Sequence, residues 1–367
     1  MTELQQPAAT PRTRSCSNCA AELVFSARTG TTTCEYCGHT QEIQQAESEF
    51  EELELRPYLK EMPQQSDEKT VNMLHCGSCG ANMQVDADLT SLHCMYCSEP
   101  LVLEDSAREQ WIVPGAVVPF AVTVPDAEQK FKKWIKSLWF APNKLKKALL
   151  NPDDLKGVYL PYWTFDADLT ASYTGQRGDF YYTQEQVQFV KDGKTQVRTQ
   201  RVKHTRWTPA AGRVSGKIDD TLVNAARTQT LPTPVERWDL GGLKPFSPDY
   251  LSGFITEKYG ISLKDGHIES KIEAKRVASN WARNDIGGDT QRLHGIQLQF
   301  SNETFKHVLL PMYISSFRYQ GKGYSFYVNG QTGSISSDRP YSKFKIAGAV
   351  IAALMLVLLF AALTGDA

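Results

Sequence analysis

The residues of this 367-residue chain whose type and spacing specify chemistry are its eight cysteines, all before residue 98 and all in Cys-x-x-Cys pairs. Cys16-Ser-Asn-Cys19 is followed after fourteen residues by Cys34-Glu-Tyr-Cys37, and Cys76-Gly-Ser-Cys79 after fourteen by Cys94-Met-Tyr-Cys97. Each cysteine of the second set stands sixty positions beyond its counterpart in the first. Four thiolates on two tight turns make the closed tetrahedral sphere that structural Zn2+ prefers, at about 2.3 Å per Zn–S bond. The spacing predicts two zinc ribbons and two Zn2+ per chain. A sphere of four thiolates leaves no position for water, so catalysis at the metal is not expected. A redox Cys-x-x-Cys needs one pair at the start of a thioredoxin-like helix. Here the pairs come in twos, beside the strand-like stretches Ala21-Glu-Leu-Val-Phe25 and Asn82-Met-Gln-Val85. Gly38 and Gly80 follow a Cys-x-x-Cys and let the backbone turn inside the knuckle. His39, His75 and His93 adjoin the cysteines but are surplus to two filled spheres.

A ribbon of this size buries too little apolar surface to fold alone, so the metal supplies the folding energy of a small docking module. Nucleic-acid binding would want a basic, aromatic face. Arg12, Arg14 and Arg28 are available near the first quartet, but no Lys or Arg lies between Cys76 and Cys97. Lys plus Arg number 40 against 41 Asp plus Glu, and a net charge of -1 carries no global nucleic-acid signal.

Between the quartets, Gln41 to Lys60 reads as an acidic spacer helix, limited by Pro57 and ended by Pro63. Trp111 to Phe120 is a strand-like entrance broken by prolines. A helix follows, which Asp126 can cap, with an apolar row of Phe131, Trp134, Ile135, Leu138 and Trp139, and Lys130, Lys132, Lys133 and Lys136 opposite. Lys144, Lys146 and Lys147 extend this basic patch. An ordinary core helix with solvated lysines is the favoured reading, and contact with anionic headgroups or nucleic acid the alternative.

After Asp154 the chain turns β-rich. Val158-Tyr-Leu-Pro-Tyr-Trp-Thr-Phe165 recurs in altered form as Val308-Leu-Leu-Pro-Met-Tyr-Ile-Ser315, which is either an internal duplication or coincidence. Asp192-Gly193 between two alternating runs predicts a hairpin. Asp219 to Ala226 and Tyr250 to Tyr259 read as short helices and Lys264 to Asn284 as a longer one, with last strands around Tyr324 to Val328. Tyr159, Tyr162 and Trp163 are candidates to line a pocket, which keeps an enzyme in view as a third class. The phosphate-cradling motif of a motor is absent: Gln188 stands where the first glycine before Gly193-Lys194-Thr195 belongs. His204, His267, His294 and His307 are scattered and read as surface or core residues.

Ile346 to Leu363 carries no charge. Eighteen residues at about 1.5 Å give roughly 27 Å of helix, close to the ~30 Å of bilayer hydrocarbon, so the stretch reads as a membrane-spanning tail anchor. The positive-inside rule places Arg339, Lys343, Lys345 and everything before them in the cytoplasm, and the first residues lack a signal-peptide pattern.

At these residues the chain resembles a family of bacterial membrane-anchored proteins containing zinc ribbons of the general transcription factor B type, some of them labelled primosomal helicase-like. The resemblance rests on the double quartet, Leu160-Pro-Tyr-Trp163 with Tyr173-Thr-Gly175, Thr205-Arg-Trp-Thr-Pro-Ala210, Pro248-Asp-Tyr-Leu-Ser-Gly-Phe254, and Asn329-Gly-Gln-Thr-Gly333 with Arg339-Pro-Tyr341. It implies a membrane adaptor in envelope stress, with phage-shock-type or flotillin-like protein partners and no catalytic residues.

The expectation is therefore an α+β multidomain chain: ribbon 1 over 1–40, an acidic helical linker over 41–70, ribbon 2 over 71–105, a β-rich α+β domain over 106–342 and a transmembrane helix over 343–364. Its expected metal ligands are Cys16, Cys19, Cys34, Cys37, Cys76, Cys79, Cys94 and Cys97. The expected function is a non-catalytic, tail-anchored zinc-ribbon adaptor or scaffold at the inner face of a bacterial membrane, partnered by the lipid bilayer and by proteins. A membrane-tethered nucleic-acid-binding protein is the alternative, with nucleic acid the less expected partner.

Overall fold

The computed structural model describes residues 15–43, 52–60, 73–76, 82–84, 91–93, 100–104, 112–142, 155–191, 194–226, 235, 237–319, 322–337 and 341–364. Its strands β1 (Leu23–Ser26), β2 (Thr31–Cys34) and β3 (Thr40–Gln41) form a small antiparallel sheet. They are followed by β4 (Leu53–Glu54) and the short helix α1 (Leu55–Lys60). Next come β5 (Met73–His75), β6 (Asn82–Gln84), β7 (Ser91–His93), β8 (Pro100–Glu104) and β9 (Ala116–Val117), then the helix α2 (Val124–Ser137). The body is built on β10 (Lys156–Lys191) and β11 (Lys194–Asn224), with β12 (Lys244–Pro245), β13 (Ile255–Glu257) and the helix α3 (Leu263–Ile286) after them. Strands β14 (Thr290–Tyr319), β15 (Lys322–Asn329) and β16 (Ile335–Ser337) and the helix α4 (Lys343–Thr364) complete it.

Among the described residues one 13-stranded, mainly antiparallel sheet joins β4 to β16. Its centre is β10, flanked by β11 and β14. Three zones follow one another along β10, each legible from its side chains. From Val158 to Phe165 both faces are buried: Val158, Leu160 and Tyr162 enter one cluster with Val308, Leu310 and Met312, and Tyr159 enters another with Phe120 and Tyr313. Burial on both faces demands a continuous apolar run instead of alternation. From Ala167 to Gly175 burial alternates, because only one face is covered, by α3. Beyond Gly178 β14 ends and the β10–β11 hairpin continues as two strands to Lys191 and Lys194.

The two similar octapeptides lie side by side as antiparallel neighbours, Leu160 opposite Leu310 and Tyr159 opposite Pro311. The hairpin expected at Asp192-Gly193 is the end of the long β10–β11 pair, although residues 192 and 193 themselves lie outside the described residues. The longer helix forms as α3, begun by Ser262, whose hydroxyl accepts from the Asp265 N–H, and ended at Gly287 with φ 65. Helix α2 is capped by Thr123 and not by the expected Asp126, which lies in the first turn and accepts from the Thr123 hydroxyl, and it packs Phe131 and Trp134 on Phe326.

Several expectations are corrected. The fold is not an α+β multidomain chain ending in a transmembrane helix; it is β-rich, with a large antiparallel sheet and few helices. Among the described residues no helix is long and apolar enough to cross a membrane. The transmembrane and tail-anchored reading, and with it single-pass placement in an inner membrane, is not supported. Asp219 to Asn224 continues β11, not a helix, because Phe165, Thr164, Trp163 and Tyr162 of β10 extend the ladder to it. Tyr250 lies in a 3-10 turn, Pro248–Leu251, before β13. Of the acidic segment only Leu55–Lys60 is helical among the described residues.

Candidate metal centre

The first quartet is assembled by two matching knuckles. In the first, the Asn18 N–H donates to Cys16 Sγ at 3.4 Å and the Ala20 N–H to the Cys16 carbonyl at 2.8 Å. In the second, the Gly38 N–H donates to the Cys34 carbonyl at 2.9 Å and the Cys34 N–H to the His39 carbonyl at 2.8 Å. The residue after each pair sits in the left-handed region, Gly38 at φ 72 and Ala20 at φ 60. Glycine adopts this conformation freely and alanine at a cost of roughly 1 kcal/mol, so the first knuckle is strained where the second is not. The β1–β2 hairpin brings the two knuckles together, since Leu23 is paired with Cys34.

The four sulfurs, those of Cys16, Cys19, Cys34 and Cys37, lie within 4.8 Å of one another. Cys16 Sγ is 3.6 Å from Cys37 Sγ and Cys19 Sγ is 3.5 Å from Cys34 Sγ. A tetrahedron with bonds of about 2.3 Å has edges of about 3.8 Å, so these residues fit a tetrathiolate metal ion. The cluster can hold a metal ion. Cys16 and Cys34 are buried beside Leu23, while Cys37 faces solvent. Hydrogen bonds from the His39 backbone and then Asn18 draw Cys37 down to about 6. Cys19 is pushed up to about 12 by desolvation and its thiol neighbours, against the lowering effect of the Ala21 backbone. Four thiols this close hold their charge in common only with a cation among them. His39 is not a ligand here; its Nε2 meets the Ser17 hydroxyl at 3.2 Å.

Of the second quartet, Cys76 is fully buried in the main core, on the chain just after β5. Cys79, Cys94 and Cys97 lie outside the described residues, as do the side chains of His75 and His93. The neighbouring strands belong to the body: β6 pairs with β13, and β5 with both β6 and β8.

The other candidate residues fall into the core or onto the surface. Tyr159, Tyr162 and Trp163 are buried, and the Trp163 Nε1–H donates to the Ile261 carbonyl at 3.0 Å; they fill the core instead of lining a pocket. The His307 Nδ1–H donates to the Ile112 carbonyl at 2.8 Å, and burial draws the ring down to about 4. His204 bridges Thr183 and Glu185 on the surface.

Sequence reasoning missed a buried charged cluster beside β4. Lys306 lies 3.2 Å from Glu52, 3.0 Å from Asp220 and 3.9 Å from Asp166. Asp166 also accepts from the Asp220 N–H at 2.7 Å, and desolvation pushes it up to about 6. Nearby His267 and Glu303 are 2.8 Å apart on a cavity of about 20 Å³, room for a single water. Its signal in the sequence was slight: a lysine and two aspartates amid strand residues.

No family model matches the chain. It is 26% identical over 345 residues to an uncharacterized protein of Bacillus subtilis strain 168, YdjG, covering 90% of this chain and 91% of that one. No solved structure matches.

Proposed function

We propose that this protein is a non-catalytic zinc-ribbon adaptor, whose metal ions hold folded modules against a β-rich body and whose partners are proteins. The observation that carries the reading is the closed set of four sulfurs within 4.8 Å of one another, with no other ligand type in the group. Such a sphere shapes a surface and leaves no place for a substrate. The metal is Zn2+, and a second ion is held by Cys76, Cys79, Cys94 and Cys97, by analogy of spacing with the first quartet. The resemblance points to partners of the phage-shock or flotillin type.

Metal analysis of the purified chain should return two Zn2+, and Cys16→Ser and Cys76→Ser should each lose one while keeping the other. With Co2+ in place of zinc, the tetrahedral tetrathiolate spectrum should not respond to added cyanide or azide. A single ion would remove the second site. A spectrum that shifts with the added anion would reveal an open position and overturn the non-catalytic reading.

A further inference from the structure

The last pair between β10 and β14 is Gly178 with Thr290, yet the β10–β11 ladder runs on to Lys191 with Lys194. These thirteen residues per strand make roughly 43 Å of two-stranded ribbon at about 3.3 Å per residue. Residues paired across strands share a face. On one face the carboxylates have partners: Arg177 is 3.0 Å from Asp179, and His204 Nε2 is 3.1 Å from a Glu185 oxygen.

The other face is different. From Gly178 to Gln188 on β10 and from Val197 to Trp207 on β11 it carries no Asp or Glu. Its cations lie on rings instead of beside carboxylates. Arg201 Cζ is 3.9 Å from the Tyr182 ring centre, Lys203 Nζ is 3.2 Å from that of Phe180, and Arg292 Cζ is 3.9 Å from that of Trp207. The same face continues along the sheet opposite α3 to exposed Arg213, whose neighbour is the amide of Gln299 at 3.2 Å. Like charges held on one face repel, and only an anionic partner turns that cost into affinity.

We propose that this face binds duplex DNA, with the β10–β11 ribbon lying along the major groove. A two-stranded ribbon is the size that groove admits, and roughly 43 Å exceeds one helical turn of about 34 Å. Arg201, Lys203, Arg213 and Arg292 neutralise phosphates, and Gln184, Gln186 and Gln188 supply amides between them. The deep, narrow major groove of RNA excludes the ribbon. A lipid surface would call for apolar side chains where these glutamines and threonines stand. The near-zero net charge gave no hint of this face, because it sums 40 basic and 41 acidic residues over the whole chain.

The test uses the full-length chain in a non-ionic detergent that keeps the apolar α4 dispersed, with a fluorescein-labelled random-sequence 30-base-pair duplex read by anisotropy across a salt series. Arg201→Glu with Lys203→Glu should weaken binding at least tenfold and lower the log–log salt slope by about 1.8, at about 0.9 for each phosphate no longer neutralised. The charge-matched control, Lys264→Glu with Lys275→Glu on α3, should stay within twofold of the native chain. No binding by the native chain, or equal losses in the two double variants, would overturn the proposal. So would phosphatidylglycerol mixed into the same detergent micelles binding as tightly as duplex and losing it through the same two changes.

Discussion

His307 and Asp166, on neighbouring strands, give this fold opposite responses to pH. Burial holds His307 at about 4 against an ordinary 6.5, so between those values the unfolded chain carries a proton the folded chain does not, and stability rises with pH. Desolvation holds Asp166 at about 6 against an ordinary 3.8, so there the folded chain carries the extra proton, and stability falls as pH rises. Each slope is about 1.4 kcal/mol per pH unit where the two windows overlap, and they nearly cancel. Asp166→Asn removes the falling contribution and keeps an oxygen for the Asp220 N–H. Its stability relative to the native chain, from urea midpoints between about pH 4 and pH 6, should climb with pH. A difference that is flat or falls would show that Asp166 is ionised throughout. Neither group could be found by reading along the chain, since burial and the approach of Lys306 are products of pairing across the sheet. The cysteines differ because their message is in local spacing, which any fold must respect, and the positive φ of Ala20 shows the limit of that message.

Helix α3 meets the sheet through Ala274, Ala278 and Ala282, spaced by four and all buried. Gly216 of β11 lies under it with no room to spare, since a Cβ there would come within 2.8 Å of the Trp281 ring. Small residues on the helix and glycine on the strand let the backbones approach closely, and the Tyr173 hydroxyl adds a hydrogen bond to Asp285 at 2.6 Å. Ala278→Leu should therefore overpack the contact and cost about 1–3 kcal/mol, read as a lower urea midpoint. An unchanged midpoint would mean that helix and sheet are not packed as described. The helix itself was legible as a stretch from Lys264 to Asn284, while its start at Ser262 was not. The short helix expected at Asp219 to Ala226 was not, because helix-compatible residues there are captured by an edge of the β10 ladder, a tertiary contact that outweighs local propensity.

At the scale of the whole molecule, the metal module is joined to the body by a small, specific contact. Phe25 of β1 is buried edge-on against Tyr250 with ring centres 5.5 Å apart and tilted against Phe254 at 6.4 Å, and its N–H donates to the Ser252 carbonyl at 3.0 Å. Beside it Gly253, at φ +83, gives way to Val24, whose Cγ1 a Cβ would approach to 2.5 Å. The small sheet that carries the cysteines thus has the Phe25 ring lodged in the core cluster of Tyr159 and Tyr313, with Ile43 packed beside it. Metal removal and loss of the Phe25 ring should have the same distant effect. In hydrogen exchange, both a chelator and Phe25→Ala should speed exchange around Phe254, whose N–H donates to Leu251, while leaving the central β10–β14 ladder protected. The two treatments should part at the metal, because Phe25→Ala leaves every cysteine in place and should retain the ion. If the chelator loosens the knuckles and the 250–254 segment stays protected, the ribbon and the body are independent, and the metal's influence ends at its own module.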